Sequence, residues 1–338
     1  MYGDGNVSTH RYHSQMDGAG IITLPNGGYV YVSNSELEGG DGGVYGLYFD
    51  MDGQVEEYKP LLTGTSNNCG GGLSPWNTWI SCEEMEGWGQ CWQVRKCVDA
   101  SAKNIDPDPS SAYHSTPTMT LIGGSGGAFE SVAIDNTDPD RPIFFLTEDH
   151  EAGALRRFVA DGSGWDSLHA GGTTSYLYFI DDQTFEWTSS IDDGRRSANW
   201  YYPNSEGISY FEGFLYFVSK EMQTLYTLDL AQMTYQREVT GGSHLLGRGS
   251  FNAQPDQIFI GVSKRNLYFT EDGGSSPGLF ARDEDGSYYT VFQGIEGVYD
   301  EDETVGIAFT QDRMRLYAGL QDAGVLLELT RDDGMPFE

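Results

Sequence analysis

Positive charge is what this chain has least of. Its 19 Lys and Arg stand against 51 Asp and Glu, a formal net charge of −32 at pH 7. Such an imbalance repels nucleic-acid phosphates and anionic membrane surfaces, so neither is an expected partner. Long apolar runs are missing too. No stretch of 18 apolar residues occurs, which excludes a membrane-spanning helix. The four cysteines are too few for a disulfide scaffold. Cys91 and Cys97, in CWQVRKC, are spaced to bridge locally or to stay reduced, and Cys82 reads as packing within a strand. The opening residues, MYGDGNVSTHRYHSQ, are polar and lack the apolar core of an export signal. The expectation is either a protein that is not exported or a chain that begins after a removed segment. No convincing amphipathic helix is visible. Disorder is excluded as well, because 38% of the residues are hydrophobic and 13% aromatic.

What the chain does contain is a repeat. Six times an acidic or thiol residue opens a short apolar segment, and a second strand-like run ends on a carboxylate 15 to 19 residues later. The openers are Asp17, Cys69, Glu130, Glu206, Asp256 and Glu303. The closers are Glu36, Glu84, Asp149, Glu221, Asp272 and Asp322. The runs before the closers, such as YVYVSNSE, IFFLTED and FLYFVSKE, are strands by composition and alternation. Closers recur at roughly 50 residues plus insertions, a period within the range of propeller blades.

Most units continue into a third strand that ends in an Asp-rich turn, as in GGVYGLYFDMDG, GALRRFVADG and GVLLELTRDDG, with QTLYTLDL as a looser version. Such turns reverse the chain between antiparallel strands. The pattern predicts an all-β, six-bladed β-propeller whose innermost strands present equivalent residues to a central channel. A single domain over residues 1–338 is expected, with polar insertions at about 98–127 and 162–204 forming loops on one rim. A GGSGG run at 123–127 lacks the strand, helix and Lys of a phosphate loop and reads as a lead into Glu130. Lys264 and Arg265 read as surface charges in a turn.

Six acidic or thiol groups around one channel require neutralisation, pairing or coordination. With so few basic residues nearby, bound cations are the simplest remedy. Carboxylate oxygens suit calcium, whereas the thiolate of Cys69 in the same ring points to a softer transition metal such as iron or zinc. A mixed metal cluster in the axial channel is the resulting expectation.

The run NNCGGGLSPWNTWISCEE, residues 67–84, closely resembles the signature of PhoX-type alkaline phosphatases. Further segments match in order: SNSE near residue 36, AFESVAID at 128–135, LTED at 146–149, SEGI at 205–208, QPDQI at 254–258, and ETVGIAFTQD followed by GLQDAG. The resemblance implies a six-bladed propeller that holds ferric iron and calcium (Fe3+ and Ca2+) in its channel and hydrolyses small phosphate monoesters. It implies Cys69 as the iron-binding thiolate and Glu84 and Glu130 as cluster carboxylates, with Glu206, Asp256 and Glu303 as further metal ligands. Asp17 and Glu36 extend that set through the repeat. An external, periplasmic or cell-surface location follows from the same resemblance, and a monomer is expected.

Two departures bear on activity. The family's arginine two residues before the Glu206 position is Asn204 here, and a histidine that usually precedes the Glu130 position is Phe129. Lys220 and His150, each beside a closer, are candidate replacements for gripping phosphate. Two other functions compete with the phosphatase reading. A calcium-dependent lactonase would need no axial thiolate, which Cys69 argues against. A non-catalytic calcium-binding propeller module is the alternative that Asn204 favours.

Overall fold

Strand segments such as IFFLTE, FLYFVS and LYFTED open on an unbroken run of at least three apolar or aromatic residues, the pattern of a strand covered on both faces. In the computed structural model, which describes residues 11–94, 118–241, 251, 253–261, 266–274, 276–294 and 302–337, they are covered in that way. Neighbouring residues Tyr268 and Phe269 illustrate it. Phe269 packs with Tyr216 and Val218 of the preceding sheet, and Tyr268 with Ile307 and Leu316 of the following one.

Six antiparallel sheets follow one another along the chain as the blades of a β-propeller. Blade one holds β1 (Met16–Thr23), β2 (Tyr29–Ser35), β3 (Gly42–Phe49) and β4 (Val55–Thr65). Blade two holds β5 (Asn68–Leu73), β6 (Trp79–Glu83), β7 (Cys91–Gln93) and β8 (Thr118–Met119). Blade three has five strands, β9 (Phe129–Asp135), β10 (Ile143–Glu148), β11 (Arg156–Ala160), β12 (Gly172–Phe179) and β13 (Phe185–Thr188). A helix, α1 (Ile191–Tyr201), then leads into blade four, built of β14 (Ser205–Phe211), β15 (Phe214–Ser219), β16 (Thr224–Asp229) and β17 (Thr234–Val239). Blade five comprises β18 (Gln254–Ile260), β19 (Leu267–Asp272), β20 (Gly278–Arg282) and β21 (Tyr288–Gln293). Blade six comprises β22 (Thr304–Phe309), β23 (Leu316–Leu320) and β24 (Val325–Leu329) among the described residues.

The first strand of each blade is innermost, and these strands neighbour one another in cyclic order, with β22 returning to β1. Six hydrophobic clusters fill the six seams between adjacent blades. Fully buried rings such as Phe217 and Phe144 lie in these seams, each contributing about 1.5–3 kcal/mol relative to exposure. Stability therefore resides in the seams, which leaves the channel free to hold polar groups. The ring closes through Tyr29 and Tyr317, whose hydroxyls lie 2.7 Å apart, and through Tyr31, whose hydroxyl donates to Gly306 O at 2.9 Å.

Several expectations need correction. The segment 162–204 is not a rim loop, because it supplies β12 and β13 to the sheet of blade three and then α1. The helix escaped the sequence reading because the residues it buries are small, Gly194, Ser197 and Ala198, and leave no apolar stripe. Its start is nonetheless capped, with the Ser190 side chain accepting from Asp193 N. Of the other insertion, residues 118–119 pair with β7 as a fourth strand, while 98–117 lie outside the described residues. Cys82 is not simple packing, and Cys91 does not join Cys97. Cys82 and Cys91 form a disulfide across the β6–β7 pair, facing residues of adjacent strands. Cys97, Lys264 and Arg265 lie outside the described residues. Among the described residues no helix is long and apolar enough to cross a membrane.

Candidate metal centre

Each innermost strand is interrupted by a β-bulge at its channel end. In blade one Met16 pairs with Ser35 and Ala19 with Ser33, so Asp17 and Gly18 together face Asn34. The same two-against-one step recurs at Cys69–Gly70, Glu130–Ser131, Glu206–Gly207 and Asp256–Gln257. A bulge bends the strand and re-aims the side chain at the extra residue. Five of the six openers are thus the first residue of a bulge. The sixth blade keeps the bulge and shifts the chemistry: Val305 pairs with Gly319 and Ala308 with Tyr317, so Gly306 occupies the opener's position. Glu303 enters from three residues upstream. The closers obey the same register. Glu36, Glu84, Asp149 and Asp272 each follow the residue that pairs beside the bulge, but in blade four that position is Lys220, and in blade six it is Leu320. Glu221 and Asp322 are exposed turn residues, because the repeat as read from sequence slipped by one and by two positions there.

Eight of the side chains singled out in the sequence meet in overlapping groups whose ligand atoms lie within 4.8 Å of one another. These groups are Asp17 with Cys69 and Glu130; Glu36 with Cys69 and Glu84; Asp17 with Asp256 and Glu303; and Glu130 with Glu206 and Asp256. Cys69, Asp17, Glu130 and Asp256 each belong to two groups, so the four form one connected cluster. Asp17, Glu130, Glu206 and Asp256 are buried, while Cys69, Glu36, Glu84 and Glu303 are partly exposed. From the bulges onward the innermost strands line a central cavity of about 470 Å³.

The electrostatic consequence is severe. Burial first, and then the neighbouring Glu36 and Asp256, hold the Asp17 carboxyl well above the usual carboxylate range. Burial together with Glu206 and Asp17 does the same to Glu130, and burial with Asp149 to Glu206 despite the opposing Lys220. Burial followed by Asp256 and Asp17 raises Glu303 in the same way. Burial raises Asp256 to about 7 and, with Asp149 and Glu36 adding to it, Glu84 to about 8. The Cys69 thiol is pushed up by burial and by Asp17 and Glu130. Without cations the cluster therefore takes up protons, and the Cys69 thiol donates to Glu130 Oε2 at 2.7 Å.

A second layer holds these groups in place. Asn34 Nδ2 donates to Cys69 O at 2.5 Å and Gly70 O at 2.7 Å, while its own oxygen accepts from Trp79 Nε1 at 2.8 Å. Gln257 bridges two blades, donating to Asp17 Oδ1 and accepting from Gly306 N at 2.8 Å. Thr270 Oγ1 donates to Asp256 Oδ2 at 2.9 Å, and Gln321 Nε2 to Glu36 Oε2 at 2.9 Å. A Cβ on Gly70 would stand 2.4 Å from Glu130 O and 2.6 Å from Glu130 Oε1, so only glycine lets blades two and three approach this closely. Gly306 adopts φ +67°, and a Cβ there would meet the Tyr31 hydroxyl at 2.4 Å. Asn34 and Gln257 were missed as functional residues. The sole hint in the sequence was their place inside SNSE and QPDQI.

Asn204, Lys220 and His150 belong to none of the four groups. Asn204 has φ +51°, a conformation asparagine tolerates better than most residues, and its Nδ2 donates to Asp149 Oδ1 at 2.6 Å. Lys220 Nζ lies 2.7 Å from Asp272 Oδ2, 3.5 Å from Glu206 Oε1 and 3.7 Å from Asp149 Oδ2. Burial works against its charge, but these carboxylates outweigh it and keep its pKa above the ordinary lysine value. His150 stands at the rim, where Nδ1 accepts from Ala152 N at 3.0 Å and Nε2 lies 3.6 Å from Glu86 Oε1. An Nδ1 that accepts leaves the imidazole proton on Nε2, facing Glu86.

The donor set fits metal ions. Asp17 Oδ2, Glu130 Oε1 and Glu206 Oε1 are buried without a hydrogen-bond partner, which is costly unless a cation meets them. Seven carboxylates with one thiol suit a mixture of hard and softer cations.

Residues 51–213 match the family model described as "Alkaline phosphatase PhoX". Among solved structures, PhoX of Pseudomonas fluorescens in complex with vanadate, a transition state analogue, is similar with a TM-score of 0.72 at 15% identity, covering 96% of this chain and 90% of that one. A protein of unknown function from Bacteroides thetaiotaomicron is similar with a TM-score of 0.53 at 14% identity, covering 96% and 71%. At such identities the likeness speaks to the fold. No curated protein sequence matches the chain significantly.

Proposed function

We propose, starting from the match of residues 51–213 to the PhoX family model and from the fold shared with PhoX, that this protein is a PhoX-type enzyme that hydrolyses small phosphate monoesters at a metal centre in the propeller channel. The observation that carries the reading is the convergence of Cys69 with Asp17, Glu36, Glu84, Glu130, Glu206, Asp256 and Glu303 in overlapping ligand groups.

Cys69, Asp17 and Glu130 would hold an iron ion, since theirs is a group that contains the thiol, and Glu36 and Glu84 add to Cys69 from the second side. Glu206, Asp256 and Glu303 offer oxygen alone and suit calcium. When bound, such ions supply Lewis acidity toward phosphoryl oxygens and lower the pKa of water. The chain itself orients and screens. The bulges aim the carboxylates inward, Asn34 and Gln257 fix the bulges, and no side chain needs to form a covalent bond to phosphorus. Lys220 contributes positive charge beside Glu206, and His150 holds an Nε2 proton that faces Glu86. Asn204 does not take over the grip of the arginine that the family carries, because its amide is committed to Asp149.

That last observation favours a second reading, in which the chain binds calcium and has lost turnover. Metal analysis of the purified protein, together with hydrolysis of p-nitrophenyl phosphate at alkaline pH, separates the two. Iron and calcium with turnover is the expected result. Calcium with no turnover would establish the binding module instead. The acidic surface suits an external, calcium-rich setting, which we include in the proposal.

A further inference from the structure

In four blades the position after the residue that pairs beside the bulge is a carboxylate, Glu36, Glu84, Asp149 or Asp272, and in blade four it is Lys220. The substitution reverses a charge inside a repeat that otherwise collects anions. Lys220 does not swing out to solvent. Its Nζ faces Asp149 from blade three, Glu206 from its own blade and Asp272 from blade five, at 3.7, 3.5 and 2.7 Å. An ammonium is a compact charge with three rotatable donors, so three carboxylates converging from three elements surround it much as they would surround a hard metal ion. Among the described residues Glu206 Oε1 is buried and has no hydrogen-bond partner, and the Lys220 ammonium stands 3.5 Å from it. The neighbouring group of Glu130, Glu206 and Asp256 shares Glu206 with this arrangement.

We propose that the Lys220 ammonium is a resident cation that takes the place of a metal ion among Asp149, Glu206 and Asp272, so that the centre binds one cation fewer than its carboxylates would otherwise hold. The inference rests on reading the channel as a metal centre. Its consequence is a centre that is partly neutralised on the side of blades three to five before any metal arrives, which eases folding of the metal-free chain. Lysine is suited to this because it cannot be displaced by chelators and leaves no open coordination position.

Counting bound calcium tests it without reference to activity. Equilibrium dialysis with calcium chloride is expected to give one more calcium per chain for Lys220→Gln than for the parent protein, and a larger rise in melting temperature on adding calcium. Lys220→Arg, which keeps the charge, should retain the parent number. An unchanged calcium number and an unchanged calcium response in Lys220→Gln would overturn the proposal. If Lys220→Gln does not fold, the double variant Lys220→Gln/Asp272→Asn decides: recovery of folding upholds the charge argument, and continued failure assigns the lysine a packing role and removes it. A parent protein that binds no calcium at all would end the metal-centre reading itself, a different outcome from either.

Discussion

Cys69 Sγ lies 2.7 Å from Glu130 Oε2 across the seam between blades two and three, and each residue is the first of a bulge in its strand. Burial and the surrounding carboxylates keep the thiol protonated until a cation displaces the proton. Cys69→Ser replaces a soft ligand by a hard one in the same volume. Iron content and phosphatase turnover are expected to fall together, by more than the roughly 10–100-fold that follows loss of an outer-layer partner, with calcium largely retained. Elemental analysis and a phosphomonoester assay on the same preparations measure both. Iron at parental occupancy would remove the thiolate assignment.

Neither Asn34 nor Gln257 is a member of a ligand group, yet each fixes a bulge. Asn34→Ala frees the carbonyls of Cys69 and Gly70, and Gln257→Ala unties Asp17 from Gly306. Each is expected to weaken metal binding by about 10–100-fold while the far-ultraviolet dichroism keeps its strand signature. Titration calorimetry with calcium on the purified variants reads the loss. Parental affinity in both would mean that the bulges hold their shape unaided.

The blades were legible because their apolar runs are dense and their period is regular, and the openers because a bulge needs no unusual residue beyond the one it aims. Two things were not legible. A strand register depends on pairing that spacing alone does not specify, so Glu221 was read where Lys220 stands, and Asp322 where Leu320 stands. Glu303 was found for the wrong reason, since Gly306 is the true counterpart of the other openers, but it still reaches the cluster. The Cys82–Cys91 bond joins residues nine apart that face each other only after β6 and β7 pair. The helix α1 and strands β12 and β13 hid in a polar segment, because what they bury is partly small and partly aromatic.

Raised carboxyl pKa values carry a sign for stability. A carboxyl whose folded pKa exceeds its unfolded value binds more protons folded than unfolded in the interval between them, so stability falls as pH rises through that interval. Asp256 at about 7 and Glu84 at about 8 set the measurable part of the window, above the ordinary carboxylate range near 4. The metal-free protein, held in chelator, is therefore expected to melt at progressively lower temperature from about pH 5 to about pH 8. Saturating calcium should flatten the trend, since the ionised forms are then the ones required. Differential scanning calorimetry across the range checks it. A melting temperature that rises with pH in chelator would contradict the burial of these groups.

The Cys82–Cys91 disulfide closes a short loop within blade two, next to the strand that carries Cys69. Chain entropy for a loop of this size predicts a loss of about 2–3 kcal/mol when both cysteines become alanine. Chemical denaturation should register this loss in Cys82→Ala/Cys91→Ala. Metal content should not change, because neither sulfur is a member of a ligand group. Iron lost along with the disulfide would show that the bond positions the centre and does more than brace the blade.

Gly70 offers the sharpest separation of site geometry from general stability. It is not among the glycines of positive φ, so the usual left-handed-backbone objection to replacing glycine does not apply there. What alanine meets is Glu130: the added methyl would stand 2.4 Å from the carbonyl oxygen and 2.6 Å from Oε1, with Ser131 Oγ at 2.5 Å. Neither the carbonyl of a bulged strand nor its flanking residues can retreat without widening the seam between blades two and three, so Glu130 moves relative to Cys69. That movement disturbs both groups to which Glu130 belongs. Gly70→Ala should therefore reduce iron and calcium occupancy together, unlike Cys69→Ser, which spares calcium. Gly87→Ala is the control, since Gly87 has positive φ and open space around it, and would lower stability through backbone strain with metal content intact. Equal metal content in Gly70→Ala and the parent would show that the two inner strands can part without cost to the centre.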